Sequence, residues 1–239
     1  ERAGYEKKAL YEEQSGGGIS IGGSYAGDGN VISGNGTGSG GQGVYLFGAD
    51  ARNNLVVGNY IGVDATGLKA ISNRNNGVQV LGGGSNTISG NVISGNGDAG
   101  VRVYGYSFSC FCNVHVTGTV IRGNYIGTDR TGTNALRNSG AGIALIYSRE
   151  AVIGGTNTAD GNVISGNEGG GIDIYDSYLD VVQNNLIGVG ADGITPVSNN
   201  YFGMSIQATG MTVRANVIAF NSGRGVVVFG VSASVSNAI

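Results

Sequence analysis

The sequence predicts an all-β solenoid in which short strands stack in parallel, one coil upon the next. Three observations carry this prediction: a hexapeptide that recurs along the chain, apolar alternation typical of strands, and 48 glycines beside a single proline in 239 residues. The hexapeptide NVISGN begins at Asn30, Asn91 and Asn162, and the related NVIAFN begins at Asn216. Short runs of valine and isoleucine between glycine and asparagine favour strands and tight turns over helices.

A second family of hexapeptides alternates with the first and begins at Asn59, Asn124 and Asn185. The asparagines of both families lie about 31 residues apart on average, a spacing typical of solenoid repeats. Each asparagine is expected to hydrogen-bond to its equivalent in the next coil. The isoleucine two residues later is expected to point into the core. These core isoleucines are Ile32, Ile61, Ile93, Ile126, Ile164, Ile187 and Ile218.

Each repeat carries two further strands. One follows a glycine and has apolar residues at its first and third positions, as in GVRVY from Gly100, and the other lies just before the asparagine. The shortest complete unit, residues 203–224, has room for three strands and three tight turns but for no helix. Each strand is therefore expected to pair with its equivalent one coil away, at about 4.8 Å. The sequence predicts a parallel β-helix with three strands per coil and about seven to eight coils, which forms one domain over residues 18–239.

The two ends of the chain lack a complete coil. Residues 1–17 are expected to form an N-terminal cap or short helix over the first coil, with a disordered terminus as the alternative. The last coil is incomplete, so the chain is expected to continue in a longer solenoid or to associate end to end with a second copy. The residues expected at this contact are Tyr5, Leu10, Tyr11, Ala238 and Ile239.

Several longer segments resemble a known group of proteins. IGGSYAGDGNVISGN at 21–35, IGGTNTADGNVISGN at 153–167 and GNYIGTDRTGTNALRNSGAGI at 123–143 resemble the repeats of large bacterial secreted and surface proteins. Those proteins have right-handed parallel β-helices, the fold shared with pectate lyases. The resemblance covers about residues 18–239 and implies a right-handed solenoid and an extracellular or cell-surface location.

Composition and charge exclude several classes of function. Charged residues make up 12% of the chain and carry a net charge of −3, without a basic cluster that would follow a phosphate backbone, so nucleic acid is excluded as a partner. The sequence contains no apolar stretch of about 18 residues that would span a membrane as a helix.

Neither a metal nor another cofactor is predicted. Cys110 and Cys112 favour reduced thiols or a local disulfide over a zinc site, because His115 is the only nearby imidazole. Three long loops are expected to protrude from one corner, and each has a single aspartate near its start. Calcium sites usually gather several oxygen ligands, so each isolated carboxylate is expected to accept hydrogen bonds within its own turn and not to bind calcium. These carboxylates belong to Asp64, Asp129 and Asp192.

The glycine-led strand presents its second and fourth residues outward. In enzymes that share this fold the polysaccharide lies along the outer face of this sheet, so the resemblance makes the outward residues candidates for contact with a glycan or a protein partner. These candidates are Tyr45, Phe47, Arg102, Tyr104, Asp173, Tyr175 and Phe229. The alternative is that the segments YGYSFSCFCN and IYDSYLD fold back and cover this face.

No catalytic residue is assigned. The richest acidic cluster is Glu168, Asp173, Asp176 and Asp180, but the catalytic motifs of polygalacturonases and alginate epimerases do not occur in the sequence. The sequence therefore favours an extracellular structural or adhesive β-solenoid, as a segment of a surface protein or a filament-forming subunit. The alternative function is a polysaccharide-binding, lyase-like or hydrolase-like β-helix protein.

Overall fold

Short parallel strands form nearly all of the regular structure in this chain. The computed structural model describes residues 10–12, 17–36, 40–106 and 112–230. Within these ranges the strands form three sheets, and every strand pair is parallel. In each coil the chain passes through one strand of each sheet and then enters the next coil. The prediction of an all-β parallel solenoid with three strands per coil is confirmed.

The strands of the three sheets occupy equivalent places in successive coils. Sheet A contains β1 (Leu10–Glu12), β4 (Val44–Phe47), β7 (Val78–Leu81), β10 (Val101–Tyr104), β14 (Ile143–Ile146), β18 (Ile172–Tyr178), β21 (Met204–Thr209) and β24 (Val226–Val228), with the short strands β11 (Val116–Thr117) and β15 (Ser148–Arg149) beside them. Sheet B contains β2 (Ser20–Gly22), β5 (Leu55–Val57), β8 (Thr87–Ser89), β12 (Val120–Arg122), β16 (Val152–Gly154), β19 (Val181–Gln183) and β22 (Thr212–Arg214). Sheet C contains β3 (Val31–Ile32), β6 (Tyr60–Ile61), β9 (Val92–Ile93), β13 (Tyr125–Ile126), β17 (Val163–Ile164), β20 (Leu186–Ile187) and β23 (Val217–Ile218). One short 3₁₀ helix, Thr158–Asp160, lies in a loop between sheets B and C.

The number of coils is slightly smaller than the sequence predicted. The described residues make about 6 turns, against an expected seven to eight. Residues 231–239, which were expected to begin a further coil, lie outside the described residues.

The isoleucines of sheet C form one continuous apolar column inside the solenoid. Ile93 pairs in register with Ile126, which pairs with Ile164, and all three side chains are completely buried. Ile32 lies near the N-terminal end of this column, whereas Ile218 in the last strand is only partly buried. Burial of one such side chain contributes roughly 1.5–3 kcal/mol. The column therefore supplies a large part of the free energy that holds neighbouring coils together.

A ladder of asparagine side chains lies at the corner between sheets B and C. The backbone N–H and the Nδ2 group of Asn91 both donate to Oδ1 of Asn124, at 2.9 and 3.0 Å. The same Nδ2 group also donates to the buried carbonyl of Val56 at 2.8 Å. The pattern repeats along Asn30, Asn59, Asn91, Asn124, Asn162, Asn185 and Asn216. Each amide therefore satisfies buried polar groups that the bend would otherwise leave unpaired.

A second asparagine ladder, which the sequence analysis did not identify, lies at the corner between sheets C and A. Its members are Asn35, Asn73, Asn96, Asn138, Asn167, Asn199 and Asn221. In alternate coils a long loop precedes the asparagine, whereas in the other coils only two residues separate it from the strand of sheet C. The loop is extruded from the corner, so the ladder remains unbroken.

The three long loops stack upon one another outside this corner. The N–H of Arg130 donates to the carbonyl of Gly67 at 3.0 Å, and the N–H of Ala191 donates to that of Gly132 at 2.9 Å. In each loop the leading aspartate accepts hydrogen bonds from its own turn. Burial raises the pKa of Asp129, but bonds from Thr131 and Asn134 outweigh it, and the pKa lies below its ordinary value.

The other two leading carboxylates show the same balance. Burial raises the pKa of Asp64, but hydrogen bonds from the Thr66 hydroxyl and nearby amides lower it further than burial raises it. Hydrogen bonds from the hydroxyl and N–H of Thr195 lower the pKa of Asp192. All three carboxylates therefore act as acceptors that close their own turns.

The third corner, between sheets A and B, holds asparagines in two neighbouring coils near the N-terminal end and other residues in later coils. The N–H of Asn54 donates to Oδ1 of Asn86 at 2.9 Å. Four coils beyond Asn54 the equivalent position holds Asp180, whose side chain is completely buried. Its Oδ1 accepts from the N–H of Ala151 at 2.8 Å, and its Oδ2 accepts from the hydroxyl of Ser148 at 2.6 Å. Burial outweighs these bonds and raises the pKa of Asp180 from 3.8 to about 6.

Three consecutive residues of the N-terminal segment, which was expected to form a cap or a short helix, are described as a strand. Leu10–Glu12 forms strand β1, which pairs in parallel with β4 and places Leu10 opposite Val44 and Tyr11 opposite Tyr45. The open edge of β4 offers unpaired N–H and C=O groups, and these favour an extended partner over a helix. The segment therefore covers the edge of the first coil as a strand. Residues 1–9 and 13–16 lie outside the described residues.

Replacement of Asn124 by alanine should destabilise the solenoid by about 2–4 kcal/mol, because buried groups that bond to this amide lose their partners. These groups include the N–H of Asn91 and the carbonyl of Ile88. Urea denaturation followed by far-UV circular dichroism measures the change in midpoint. The control is Asn200→Ala, at an exposed asparagine, and should shift stability by less than about 0.5 kcal/mol. Equal midpoints for both variants would contradict the role of the ladder.

Replacement of Asp180 by asparagine should stabilise the protein at pH 8 but not at pH 4. The folded-state pKa of about 6 lies above 3.8, so the folded state binds a proton that the unfolded state releases. The stability from this group is complete below about pH 4 and is lost as the pH rises through about 6. The expected gain at pH 8 is about 1–3 kcal/mol. Thermal denaturation from pH 4 to pH 8 measures it, with exposed Asp50→Asn as the control. A parallel pH dependence of Asp180→Asn and the unmodified chain would refute this assignment.

Candidate functional site

Aromatic side chains gather on the outer face of sheet A, where β10, β14 and β18 lie side by side. Tyr104 at the end of β10 and Tyr175 on β18 both stand opposite Ile146 of β14, on its two sides. Tyr147 follows directly after Ile146. We call the group formed by Tyr104, Tyr106, His115, Tyr147, Tyr175 and Tyr178 the tyrosine patch.

Tyr147 lies at the centre of the tyrosine patch. Its ring centroid is 6.0 Å from that of Tyr104 and 6.3 Å from that of Tyr175. His115 packs edge-on against both Tyr147, at 6.3 Å, and Tyr178, at 4.8 Å. These separations are typical of favourable aromatic pairs. The rings therefore form one continuous surface that crosses adjacent coils.

The backbone of Tyr147 adopts a left-handed conformation, with a φ of 54°. The equivalent positions after β4 and β7 hold Gly48 and Gly82, whose φ values are 98° and 91°. Tyrosine is strained in this region, whereas glycine is not. Asp176, at the bulge of β18, also has a positive φ, of 47°. Such strain is concentrated at binding and catalytic sites.

Charged groups border the aromatic surface. The guanidinium of Arg102 lies 5.6 Å from the centroid of the Tyr104 ring and pairs with Asp98 at 3.8 Å. Burial, the Asp176 carboxylate and the neighbouring phenols of Tyr175 and Tyr104 raise the pKa of Tyr147. The Tyr147 hydroxyl therefore remains protonated near neutral pH, where it can donate a hydrogen bond to a ligand.

A small cavity of about 390 Å³ adjoins the patch and is lined by His115, Arg149, Tyr178, Leu179 and Thr209. Arg149 pairs with the neighbouring Glu150 at 3.2 Å. Within the described part of the chain, no three side chains of His, Cys, Asp or Glu are grouped as metal ligands would be. The polar groups at this site are thus suited to hydrogen bonding and ion pairing.

The structure brings together only part of the predicted contact residues. Arg102, Tyr104 and Tyr175 belong to the patch or its border, and half-buried Asp173 lies two residues before Tyr175 on β18. The other three predicted residues lie away from the patch. Tyr45 and Phe47, whose rings are 5.3 Å apart, lie on β4, two strands from β10, and Phe229 lies two strands beyond β18.

The predicted acidic cluster is dispersed. Asp173 and Asp176 lie on β18, but Asp180 is buried at the corner between sheets A and B. Glu168 lies before β18 and pairs with Arg137 at 3.2 Å. The carboxylates therefore do not form a single group. The segment IYDSYLD does not fold back over the sheet, because its first five residues continue the strand β18.

Sequence reasoning missed Tyr147 and Tyr178 and assigned no role to His115 beyond a structural one. The sequence held a signal for Tyr147. The first three glycine-led strands are followed by glycine, as in GVYLFG, GVQVLG and GVRVYG, whereas the fourth is followed by tyrosine in GIALIY. A tyrosine at a position that favours glycine marks an exception to the repeat.

The remaining predicted residues lie elsewhere. Cys112 is disulfide-bonded, whereas Cys110, the other cysteine of the chain, lies outside the described residues. Of the residues expected at an end-to-end contact, Leu10 and Tyr11 belong to β1, and Tyr5, Ala238 and Ile239 lie outside the described ranges. The end-to-end contact stays a prediction. No helix in the described residues is long and apolar enough to cross a membrane.

Three solved structures show limited similarity to this chain. A double mutant of the periplasmic alginate epimerase AlgG has 14% identity and a TM-score of 0.46, and the match covers 82% of this chain and 43% of that one. A single mutant of AlgG has 14% identity and a TM-score of 0.35, and the match covers 79% of this chain and 43% of the AlgG chain. The A-module of the mannuronan C-5 epimerase AlgE4 from Azotobacter vinelandii has 16% identity and a TM-score of 0.20. This match covers 91% of this chain and 88% of the A-module. This chain thus spans less than half of the length of the AlgG chains.

No curated protein matches the sequence. The family described as "Right handed beta helix region" matches residues 12–186 and 63–239. These two matches together include most of the chain and agree with the three-sheet parallel solenoid described above. The chain therefore belongs to the right-handed beta helix family.

Proposed function

We propose that this protein binds a polysaccharide along the outer face of sheet A, with the tyrosine patch as its contact surface. The observation that carries the proposal is the unbroken series of aromatic rings centred on Tyr147. Tyr104 and Tyr175 lie two coils apart, which corresponds to about 10 Å along the solenoid axis. A polymer that runs parallel to the axis would meet successive rings, coil by coil.

The chemistry of the patch matches that of a sugar chain. Pyranose rings present apolar C–H faces and polar hydroxyl edges. Tyrosine rings offer flat apolar area together with a hydroxyl, and the side chains lose little conformational entropy on binding. Arg102 and Asp173, beside the rings, supply a donor and an acceptor for hydroxyl groups. The surface thus combines the apolar and polar contacts that a sugar needs.

The strain at Tyr147 supports a binding role. Glycine occupies the equivalent corner in earlier coils without strain, so the tyrosine side chain is not required for the turn itself. A left-handed non-glycine residue costs on the order of 1 kcal/mol or more. Other corners also hold left-handed side chains, such as Asn184 and Ala215, but at Tyr147 the retained ring lies at the centre of the tyrosine patch.

The location expected for such a protein is outside the cytoplasm. The disulfide bond of Cys112 supports this expectation, because disulfides persist in oxidising compartments. The sequence favoured a structural or adhesive role, as a segment of a surface protein or a filament-forming subunit. We favour polysaccharide binding over that role because the tyrosine patch offers a surface suited to a sugar chain.

Replacement of Tyr147 by glycine should weaken binding without loss of stability. Glycine relieves the left-handed strain, so the thermal midpoint should stay the same or rise, whereas the patch loses its central ring. We expect at least about a tenfold loss of affinity, as for removal of a central aromatic contact. Affinity electrophoresis in gels that contain neutral or uronate polysaccharides measures binding, and thermal denaturation measures stability.

Tyr175→Ala should weaken binding in the same assay, whereas Tyr201→Ala should not, since Tyr201 is an exposed tyrosine outside the patch. Retention of full affinity by both Tyr147→Gly and Tyr175→Ala would overturn the proposal. Incubation with uronate polymers tests for catalysis, because release of unsaturated ends would show that the protein is a lyase as well as a binder.

A further inference from the structure

A second concave surface lies on the corner between sheets B and C, away from sheet A. It is a groove of about 730 Å³ whose lining includes Tyr25, Tyr60, Ser89, Gly90, Arg122 and Asp160. A smaller cavity of about 430 Å³ shares Tyr60 and Gly90 with it and continues over sheet C to Val92, Tyr125 and Arg130. We call the two together the corner groove. None of these residues belongs to the tyrosine patch.

Two loops with related sequences form opposite walls of the corner groove. GGSYAGDGN, at 22–30, follows β2, and GGTNTADGN, at 154–162, follows β16. Each loop is closed by its aspartate: Oδ2 of Asp28 accepts from the N–H of Tyr25 at 3.2 Å, and Oδ2 of Asp160 accepts from Nδ2 of Asn157 at 3.2 Å. In the coils between them β5, β8 and β12 pass to sheet C through a two-residue turn. The groove therefore lies over the coils with short turns, between the two longer loops.

The floor of the groove is open at Gly90. A Cβ atom added at Gly58 would lie 2.2 Å from the carbonyl oxygen of Gly23, so the first loop requires glycine there. At Gly90 the nearest atom to an added Cβ would be 4.0 Å away. Packing therefore does not explain this glycine.

Backbone conformation favours glycine at position 90, because a side chain is strained at a left-handed φ. Its φ is 65°, and the equivalent corner positions after β19 and β22 hold Asn184 and Ala215, with φ values of 57° and 55°. The chain thus accepts a side chain at this corner outside the groove. The glycine at position 90 also leaves space in the floor, which a side chain such as that of Asn184 would occupy.

Aromatic and basic side chains surround this space. Tyr60 and Tyr125 pair in register with Val92 from its two sides, which places them about 10 Å apart across the groove. Arg122 lies at the sheet B end, where it pairs loosely with Asp160 at 3.5 Å, and Arg130 lies at the sheet C end. The groove is therefore lined by a tyrosine on each side and by an arginine at each end.

We infer that the corner groove binds a short acidic oligosaccharide. The width between Tyr60 and Tyr125 suits a single sugar ring with its faces toward the tyrosines. The two arginines suit carboxylates, to which guanidinium groups donate paired hydrogen bonds. The hydroxyls of Ser89 and Tyr25 supply further hydrogen bonds. The walls limit the ligand to a few sugar units, unlike the open surface of sheet A.

A phosphate group fits the corner groove less well than a carboxylate. Phosphate sites use several free backbone N–H groups. In the floor the N–H groups of Gly58, Gly90 and Gly123 already donate to the carbonyls of Ser89, Arg122 and Asp160, at 2.9–3.2 Å. Recognition in this groove must therefore come from side chains.

The experiment compares trisaccharides of galacturonate, mannuronate and glucuronate with their methyl-esterified forms, by titration into ¹⁵N-labelled protein. At least one acidic trisaccharide should shift the amide signals of Gly90 and its neighbours, and its methyl ester should bind at least tenfold more weakly. Gly90→Asn places a side chain of the kind found at Asn184 into the floor. It should lower affinity at least tenfold while the thermal midpoint stays within a few degrees.

Two further variants separate the possible outcomes. Gly18→Asn, at a left-handed glycine with nothing within 4 Å of an added Cβ, should leave the titration unchanged. Arg122→Gln should reduce binding of the acid more than binding of the ester. Signal shifts confined to the tyrosine patch, unchanged affinity in Gly90→Asn, or no response to any acidic trisaccharide would each overturn the inference. The patch variants Tyr147→Gly and Tyr175→Ala should leave this binding intact, so each site is tested independently.

Discussion

The hydrogen bonds of buried asparagine side chains are the constraint on which the rest of this structure depends. A coil with three short strands must bend three times, and each bend places N–H and C=O groups where neither water nor a strand partner reaches them. An asparagine carries both a donor and an acceptor, so one side chain can serve its own bend and the next coil at once. The distance between Asn91 and Asn124 is then fixed by the spacing of paired strands. This spacing fixes the register between strands of neighbouring coils. Because the register is fixed, the isoleucines stack in one column that is buried from water.

Fixed register confines variation to the outside of the solenoid. The inward positions of every coil must hold residues of similar size, since a misfit in one coil disturbs the packing of the next. The outward positions and the extruded loops carry no such requirement. The three loops after Val63, Thr128 and Val189 show this clearly, because each leaves the corner and returns to the asparagine ladder without changing it. Ligand-binding surfaces are therefore expected on outward-facing residues and between loops. The tyrosine patch lies on the first kind of surface and the corner groove on the second.

The repeat made the fold predictable, whereas the sites depend on departures from it. Asn91 and Ile93 belong to a hexapeptide that recurs, and recurrence in sequence implies recurrence in space. Asp180 was not predictable as a buried residue, because its corner holds asparagine, threonine and alanine in other coils and no repeat marks it. The corner groove depends on two loops that are 132 residues apart in the sequence numbering, at 22 and 154, and their separation in space follows only once the number of coils between them is known. The second asparagine ladder was hidden because loops of different length precede its members.

The two candidate sites use left-handed corner positions in opposite ways. Left-handed corner positions in this chain are mostly glycine, which adopts that conformation without strain. At Tyr147 a large side chain stands where glycine would be easier, and it joins rings from neighbouring coils into one surface. At Gly90 a side chain is absent where asparagine and alanine are accepted in other coils, and its absence leaves a floor open between two walls. Local stability does not explain the tyrosine, because it adds strain, whereas glycine at position 90 avoids the strain of a left-handed side chain. Contact with a ligand accounts for the added surface at Tyr147, and the space above Gly90 is open to a second ligand.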